Sequence, residues 1–470
     1  MADLEEVDKL LEELSQRIRE WLTVTDLDCV TNPLSSKSLS RTSDLGLPIE
    51  GLGKENMLAD IDQYLNHAVR TNSKRFMNPL WGGMDLTSFA GEIISTLANS
   101  SMYTFELSPI GSLIEDEVIK KMCSIAGFEG GGGTFSTGGS NGNLLGILCA
   151  RHSINPRIMR EGNQGEDLVA FVSAESHYSV SMAVNVLGIG LANLIKVGCD
   201  DDGRMRPDLL KQEIIRSREN GRLPFCVIAT SGTTVRGAFD PLRSLSEICT
   251  DEGLWLHVDA AWGGPCLFSN RLRHLMDGVE FADSICWDGH KMMGTPLVCS
   301  AFLVKDVDLL RRVCSHTGDA HYLFHHDSEL LDLGRFSLQC GRRNDALKLW
   351  LAWREKGDAG WARLVERYVD LADYLQGLIE HDDRFEMMSN RVWSNVCFRY
   401  VSDNPNEFNS ALRKRIIERG RFMLSRSNIG NDVVLRAVIS NSQVDESSLD
   451  ELIEEIHIVA SEIRRDGFGN

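Results

Sequence analysis

Between residues 73 and 305, apolar runs at 168–173, 224–230, 254–258, 281–287 and 299–304 alternate with stretches of helical period at 140–152, 179–188, 207–218 and 243–252. Few folds accept that order. Near-continuous apolar strands joined through helices build a parallel sheet covered on both faces, and such a sheet binds ligands beyond the carboxyl ends of its strands. The strand ends are therefore where the chemistry is to be sought.

Ser284–Lys291 reads S-I-C-W-D-G-H-K, an apolar run that stops at an Asp-Gly turn and delivers His290 and Lys291. Flanked by apolar surface, a lysine loses proton affinity and can be the neutral amine that forms a Schiff base with an aldehyde. Alone, it is equally an ordinary surface lysine after a turn. Asp259 ends L-W-L-H-V-D, where a buried carboxylate needs a strong partner or caps the next helix; the small Ala261 leaves room there for a ring face. His177 follows the run L-V-A-F-V-S, where an imidazole can stack on a heteroaromatic ring and pass a proton, or cap a helix. Gly130–Ser140, G-G-G-G-T-F-S-T-G-G-S, precedes a helix beginning near Asn141. Glycine N–H groups at a helix N-terminus hold a phosphate, although the run by itself is also a flexible loop, and it fits neither nucleotide-binding glycine pattern. Lys291, Asp259, His177 and Gly138–Ser140 together look like a pyridoxal phosphate pocket.

The stretches A-T-S-G-T-T-V-R-G-A-F-D-P-L, L-W-L-H-V-D-A-A-W-G-G and C-W-D-G-H-K-M-M-G resemble the pyridoxal phosphate-dependent group II amino acid decarboxylases. So do R-F-M-N-P-L-W-G-G-M-D, M-Y-T-F-E-L-S-P-I and S-L-Q-C-G-R-R, and the likeness runs from about Arg75 to Glu462, nearest the glutamate and cysteine sulfinate branch. It implies an aspartate aminotransferase-like α/β fold (fold type I): a mostly parallel seven-stranded sheet, a smaller α+β C-terminal domain, and a homodimer with its sites at the interface. It also implies pyridoxal 5′-phosphate joined to Lys291, with His290 helping to hold it, His177 stacked on the ring, Asp259 on the ring nitrogen and Ala261 on the opposite face. Gly139 and Ser140, with Thr233, are implied to bind the phosphate, and Gly341 to reach it from the partner chain. Arg436, in V-L-R-A-V-I-S-N, matches the arginine that takes a substrate carboxylate, for which a guanidinium fork is the fitting group. Asn78 and Trp81 are the matching substrate-pocket positions.

The implied reaction is decarboxylation of a small acidic L-amino acid, of the cysteine sulfinate, aspartate or glutamate class, to the amine and CO2. Three departures bear on it. The family's W-N-P-H-K is W-D-G-H-K here, which puts Asp288 beside the phosphate as a like charge unless it is turned away, protonated or paired. Arg236 stands where the family is aliphatic or aromatic and offers a second cation. No tyrosine lies between Leu323 and Gln339, where these decarboxylases usually carry a mobile one that protonates Cα; Phe324, His325, His326 and Phe336 are what the chain offers. That absence opens an alternative, decarboxylation coupled to oxidative deamination, giving an aldehyde.

Outside the alternating region, Leu10, Leu11, Leu14, Ile18, Trp21 and Leu22 form one helical stripe, and 23–53 has loop composition. Residues 1–72 are therefore read as a helical segment and linker, 73–340 as the large α/β domain and 341–470 as the small α+β domain. The net charge of −19 argues against nucleic acid and an anionic membrane surface as partners. The 12 cysteines show no C-x-x-C spacing, so no metal site is expected, and no apolar run approaches a membrane span, which suits a cytoplasmic enzyme.

Overall fold

The computed structural model describes residues 4–23, 29–315, 324 and 331–467. The chain forms two compact units, one of Met84–Asp373 with Ser389–Cys397, the other of Met1–Gly83, Tyr374–Met388 and Phe398–Asn470. It passes from the first to the second inside the helix Ala346–Glu380. The N-terminal residues group with the C-terminal strands and helices.

In the larger unit a seven-stranded sheet comprises β1 (Gly132–Ser136), β2 (Leu168–Ser173), β3 (Leu194–Val197), β4 (Leu223–Thr230), β5 (Trp255–Asp259), β6 (Ser284–Asp288) and β7 (Ser300–Val304). The order across it is β1-β7-β6-β5-β4-β2-β3. Only β7 runs against its neighbours, pairing antiparallel with β6 and β1. This is the α/β sheet that the alternating sequence implies, with the seven mostly parallel strands that the family resemblance implies. The reversal has a local cause: β6 and β7 are joined directly through residues 289–299, without a crossover helix, and that link carries His290 and Lys291. Because β2, β6 and β7 are buried along their whole length, their polar atoms emerge only at their ends.

The glycine run is not wholly a loop, as its composition suggests. Gly132 and Gly133 belong to β1, where a Cβ on Gly133 would lie 2.0 Å from the Phe302 carbonyl oxygen, so a side chain is excluded by the close approach of β7. Helix α1 (Gly139–Ile154) then crosses the sheet at short range. A Cβ on Gly142 would sit 2.5 Å from Cys286 Sγ, and one on Gly146 2.3 Å from His257 Nδ1. Farther along, Ile147 and Ala150 pack with Leu168, Ala170, Val172, Phe225 and Ile228, and with Val180 and Val184 of α2 (Ser179–Val186). Each buried Val, Leu, Ile or Phe among them contributes about 1.5–3 kcal/mol, enough to fix α1 on the sheet.

A five-stranded sheet runs Phe76–Met77, Met423–Ile429, Asp432–Val438, Asn395–Tyr400, Phe385–Met387, with helices Pro405–Arg419 and Glu446–Arg465. Among the described residues no helix is long and apolar enough to cross a membrane.

Candidate active site

Three strand ends and one helix start converge in the larger unit. Asp259 closes β5, Asp288 closes β6, Lys291 sits in the turn three residues later, and His177 lies in the turn between β2 and α2. Asp259 is 6% exposed and accepts from two donors: Asn143 Nδ2 reaches its Oδ2 at 2.8 Å, and the Ala261 N–H reaches its Oδ1 at 3.2 Å. Asn143 also donates to Ser179 Oγ at 2.9 Å, and Ser179 Oγ in turn lies 2.9 Å from His177 Nδ1. The Oδ1 of Asn143 faces His257 Nε2 at 3.0 Å, and His257 Nδ1 faces Ser284 Oγ at 2.8 Å. Burial holds His257 down at about 4, so it is neutral at physiological pH and donates one proton while accepting another. The chain of contacts fixes which oxygen of Asp259 is occupied and which way His177 is turned.

His177 is half-buried, and burial lowers it against the opposing pull of Asp259; it too is neutral near pH 7. Lys291 departs from the sequence-based expectation. Burial does pull the amine down, but Asp288 Oδ2 at 3.2 Å from its Nζ, together with Asp259, outweighs that and raises it above its ordinary value. Before any reaction it is an ammonium, not a neutral amine. His290, 8% exposed, has Nε2 3.6 Å from the same Asp288 oxygen and Nδ1 2.8 Å from the Cys299 carbonyl oxygen; burial lowers it as well.

Helix α1 begins at Gly139 with no side chain capping it, behind Gly138 at φ 113. Sixteen residues of helix thus present an open positive end. A Cβ on Gly139 would stand 2.8 Å from Asp288 Oδ2 and 3.2 Å from Ala261 Cβ, so glycine keeps a cradle clear that any other residue would fill. Asp288 is 1% exposed, and its Oδ1 is buried without a hydrogen-bond partner among the described residues. These are the fittings that pyridoxal phosphate requires: an open helix N-terminus for the phosphate, a buried carboxylate for a ring N–H, an imidazole beside it and an amine.

The other positions named from the sequence are placed as follows. Ser140 is exposed in the first turn of α1. Thr233 is fully buried, its Oγ1 accepting from the Ala238 N–H at 3.0 Å, which leaves the hydroxyl proton to donate. Gly341 is exposed, and nothing lies within 4 Å of where its Cβ would be. Arg436, Asn78 and Trp81 belong to the other unit. There Arg436 is 8% exposed, its Nε donates to Ser425 Oγ at 2.8 Å and its Nη2 reaches the Asn78 carbonyl oxygen at 3.5 Å; Trp81 packs on Phe76 with ring centroids 5.7 Å apart. Arg236 is committed elsewhere, to Glu175 Oε1 at 3.3 Å and the Asp201 carbonyl oxygen at 2.7 Å. Residues 316–323 and 325–330, including His325 and His326, lie outside the described residues; Phe324 packs on Tyr103 with ring centroids 5.2 Å apart. Asn143, Ser179 and His257 were not picked out from the sequence. Asn143 alone had a signal, the stripe Gly139, Gly142, Asn143, Gly146 at the i, i+3, i+4, i+7 spacing of one helix face, small where α1 meets the sheet and polar at one place.

Residues 36–401 match the pyridoxal-dependent decarboxylase conserved domain. The chain is 36% identical over 478 residues to acidic amino acid decarboxylase GADL1 of Mus musculus, a match covering 97% of this chain and 86% of that protein. With cysteine sulfinic acid decarboxylase of Mus musculus it shares 36% identity over 445 residues, covering 91% and 90%. A crystal structure of mouse CSAD superposes with a TM-score of 0.94 at 34% identity, over 98% of this chain and 99% of that one.

Proposed function

The chain belongs to the pyridoxal-dependent decarboxylase family, and from that premise we propose that it converts a small acidic L-amino acid, of the cysteine sulfinate, aspartate or glutamate class, to the amine and CO2. The observation that carries the proposal is the meeting of Lys291, Asp259 and His177 at strand ends beside the open N-terminus of α1. The relatives named for acidic substrates support the substrate class.

When bound, pyridoxal phosphate supplies an electron sink for the charge left at Cα as CO2 departs. In our reading α1 holds the phosphate through the backbone at Gly139 and Ser140, assisted by Thr233 and His290. Asp259, anchored by Asn143 and the Ala261 N–H, holds a proton on the ring nitrogen. His177, kept neutral by burial and oriented by Ser179, covers one ring face, and Ala261 lines the other. Lys291 would be the residue that joins the cofactor carbon, and as a free amine beside Asp288 and Asp259, which favour its protonated form, it would be equipped to return a proton to Cα. Orienting the Cα–carboxylate bond across the ring plane selects decarboxylation over other bond breakages. Arg436 takes a substrate carboxylate while Asn78 and Trp81 shape the pocket, and Gly341 reaches the phosphate of a second protomer in a homodimer. The 12 free cysteines, nine of them buried, suit a reducing cytoplasm.

The test is to incubate holoenzyme with a panel of L-amino acids, in air and under argon, and follow CO2, amine, aldehyde and peroxide. Amine in full yield under both atmospheres, fastest with acidic substrates, is expected. Oxygen-dependent aldehyde and peroxide would replace the proposal with the oxidative reaction, and equal rates on neutral amino acids would remove the acidic substrate class.

Arg436→Met is expected to separate substrate from cofactor. Leaving a substrate carboxylate without its guanidinium costs on the order of 3 kcal/mol, so kcat/KM on the best acidic substrate should fall roughly a hundredfold or more. Cofactor content, read from the pyridoxyl mass retained after borohydride reduction, should not change. A variant with full kcat/KM would move the carboxylate site elsewhere.

A further inference from the structure

The contradiction in this site is that the amine expected to attack an aldehyde is an ammonium, clamped by a carboxylate that borders the place reserved for a phosphate. We propose that Asp288 is the proton acceptor for Lys291 during cofactor loading, so that one proton transfer both frees the amine and removes the negative charge from beside the phosphate. The inference rests on the reading of this pocket as the pyridoxal phosphate site.

Three observations carry it. Asp288 Oδ2 is 3.2 Å from Lys291 Nζ, a hydrogen-bonding distance along which a proton can pass without solvent. The same oxygen lies 2.8 Å from where a Cβ on Gly139 would be, so it also borders the mouth of α1. The other oxygen, Oδ1, is buried and has no hydrogen-bond partner among the described residues, which is costly for a carboxylate and much less so for a neutral acid. The charged and titratable groups facing Asp288 come from every surrounding element: Lys291 and His290 on its own turn, Cys286 on β6, Cys299 before β7, and His177 after β2. Asp259 on β5 acts on the same lysine. Of these only Lys291 is a cation in contact with Asp288. His290 and His177 are neutral near pH 7, and burial pushes the Cys286 and Cys299 thiols up, so they hold their protons.

The step balances as follows. Lys291 ammonium and Asp288 carboxylate become amine and carboxylic acid. Lys291 Nζ bonds to the aldehyde carbon, and its two remaining hydrogens leave with the aldehyde oxygen as water. No external base takes part, and the acid left at Asp288 is a hydrogen-bond donor where a carboxylate could only accept.

The experiment is the rate of loading of cofactor-free enzyme by pyridoxal phosphate as a function of pH, for the wild type and Asp288→Asn, read as pyridoxyl mass on the Lys291 peptide after borohydride quenching. In the wild type the transfer is internal, so the loading rate should be flat between pH 6.5 and 8.5. In Asp288→Asn the lysine must shed its proton to solvent, so the rate should climb about tenfold per pH unit until the amine titrates. Pyridoxine 5′-phosphate, which lacks the aldehyde, should bind Asp288→Asn at least tenfold tighter than the wild type at pH 8, showing that the variant is folded and that the carboxylate opposes the phosphate. A wild-type rate rising tenfold per unit, or identical profiles in the two proteins, would overturn the inference while leaving the pocket intact. Failure of the wild type to incorporate pyridoxyl at Lys291 would overturn the pocket reading, and the inference with it.

Discussion

Lys291→Ala should lose turnover by roughly ten-thousandfold or more, since the variant lacks both the amine that binds the cofactor carbon and the acid that returns the proton. It should also retain no pyridoxyl group after borohydride reduction. A second effect follows from the pair geometry. Removing the ammonium leaves Asp288, 1% exposed, with His290 Nε2 at 3.6 Å and no cation at 3.2 Å. Breaking a buried pair by deleting one partner costs on the order of 3 kcal/mol, so the cofactor-free variant should melt several degrees below the cofactor-free wild type. The sign with pH is definite: the folded value of Lys291 is raised, so the pair stabilises fully at neutral pH and fades only as pH climbs through the alkaline range above ~10. Combining Lys291→Ala with Asp288→Asn should restore the melting temperature and none of the turnover. A single variant that still carried a pyridoxyl group on another lysine, with activity, would remove Lys291 from its role.

The part of this site legible in the sequence is the part that sits at strand ends. β2, β5 and β6 are buried almost throughout and read largely as apolar runs, so polar residues at or just past their ends, His177, Asp259 and Lys291, announce themselves by position. Fold class followed from the same alternation. What did not read is whatever depends on a neighbouring backbone. β1 begins with two glycines before its first β-branched residue, Thr134, because at Gly133 β7 comes too close for a side chain. Met423–Ile429 is only partly buried and looks polar, yet it is paired along its length with Asp432–Val438.

Proton affinity was the least legible property. The apolar Ile285–Trp287 before the turn and Met292 and Met293 after it argue for a lowered amine, but the Gly289 turn folds Asp288 back to within 3.2 Å, and the β5–β6 pairing sets Asp259 alongside. Two carboxylates from two strand ends defeat a local argument. The Asn143, Ser179, His257 network escaped for the same reason, since its members lie on α1, α2 and β5 and each is unremarkable alone.

Asp259→Ala should keep the phosphate anchored and lose turnover, because the phosphate is held at α1 and the ring nitrogen at β5. The lost interaction is a buried ion pair between the Asp259 carboxylate and a protonated ring nitrogen, about 4 kcal/mol, or roughly a thousandfold in kcat. KM for the amino acid should move only a few-fold, since Asp259 is assigned no contact with substrate. Asp259→Asn sharpens the test. It matches the shape, and its oxygen can still accept from the Ala261 N–H, but its amide would then meet the Asn143 amide donor to donor, in place of the 2.8 Å bond to Oδ2. Asn143 cannot turn to relieve this without breaking its contacts to Ser179 and His257, and His257 is held neutral with its own donor already used. Asp259→Asn should therefore be no better than Asp259→Ala in kcat and less thermally stable. Asp259→Glu, which restores charge one methylene too long, should recover part of kcat without restoring stability. Equal kcat in wild type and Asp259→Ala would mean that another group protonates the ring nitrogen, and a selective rise in KM would make Asp259 a substrate-binding residue instead.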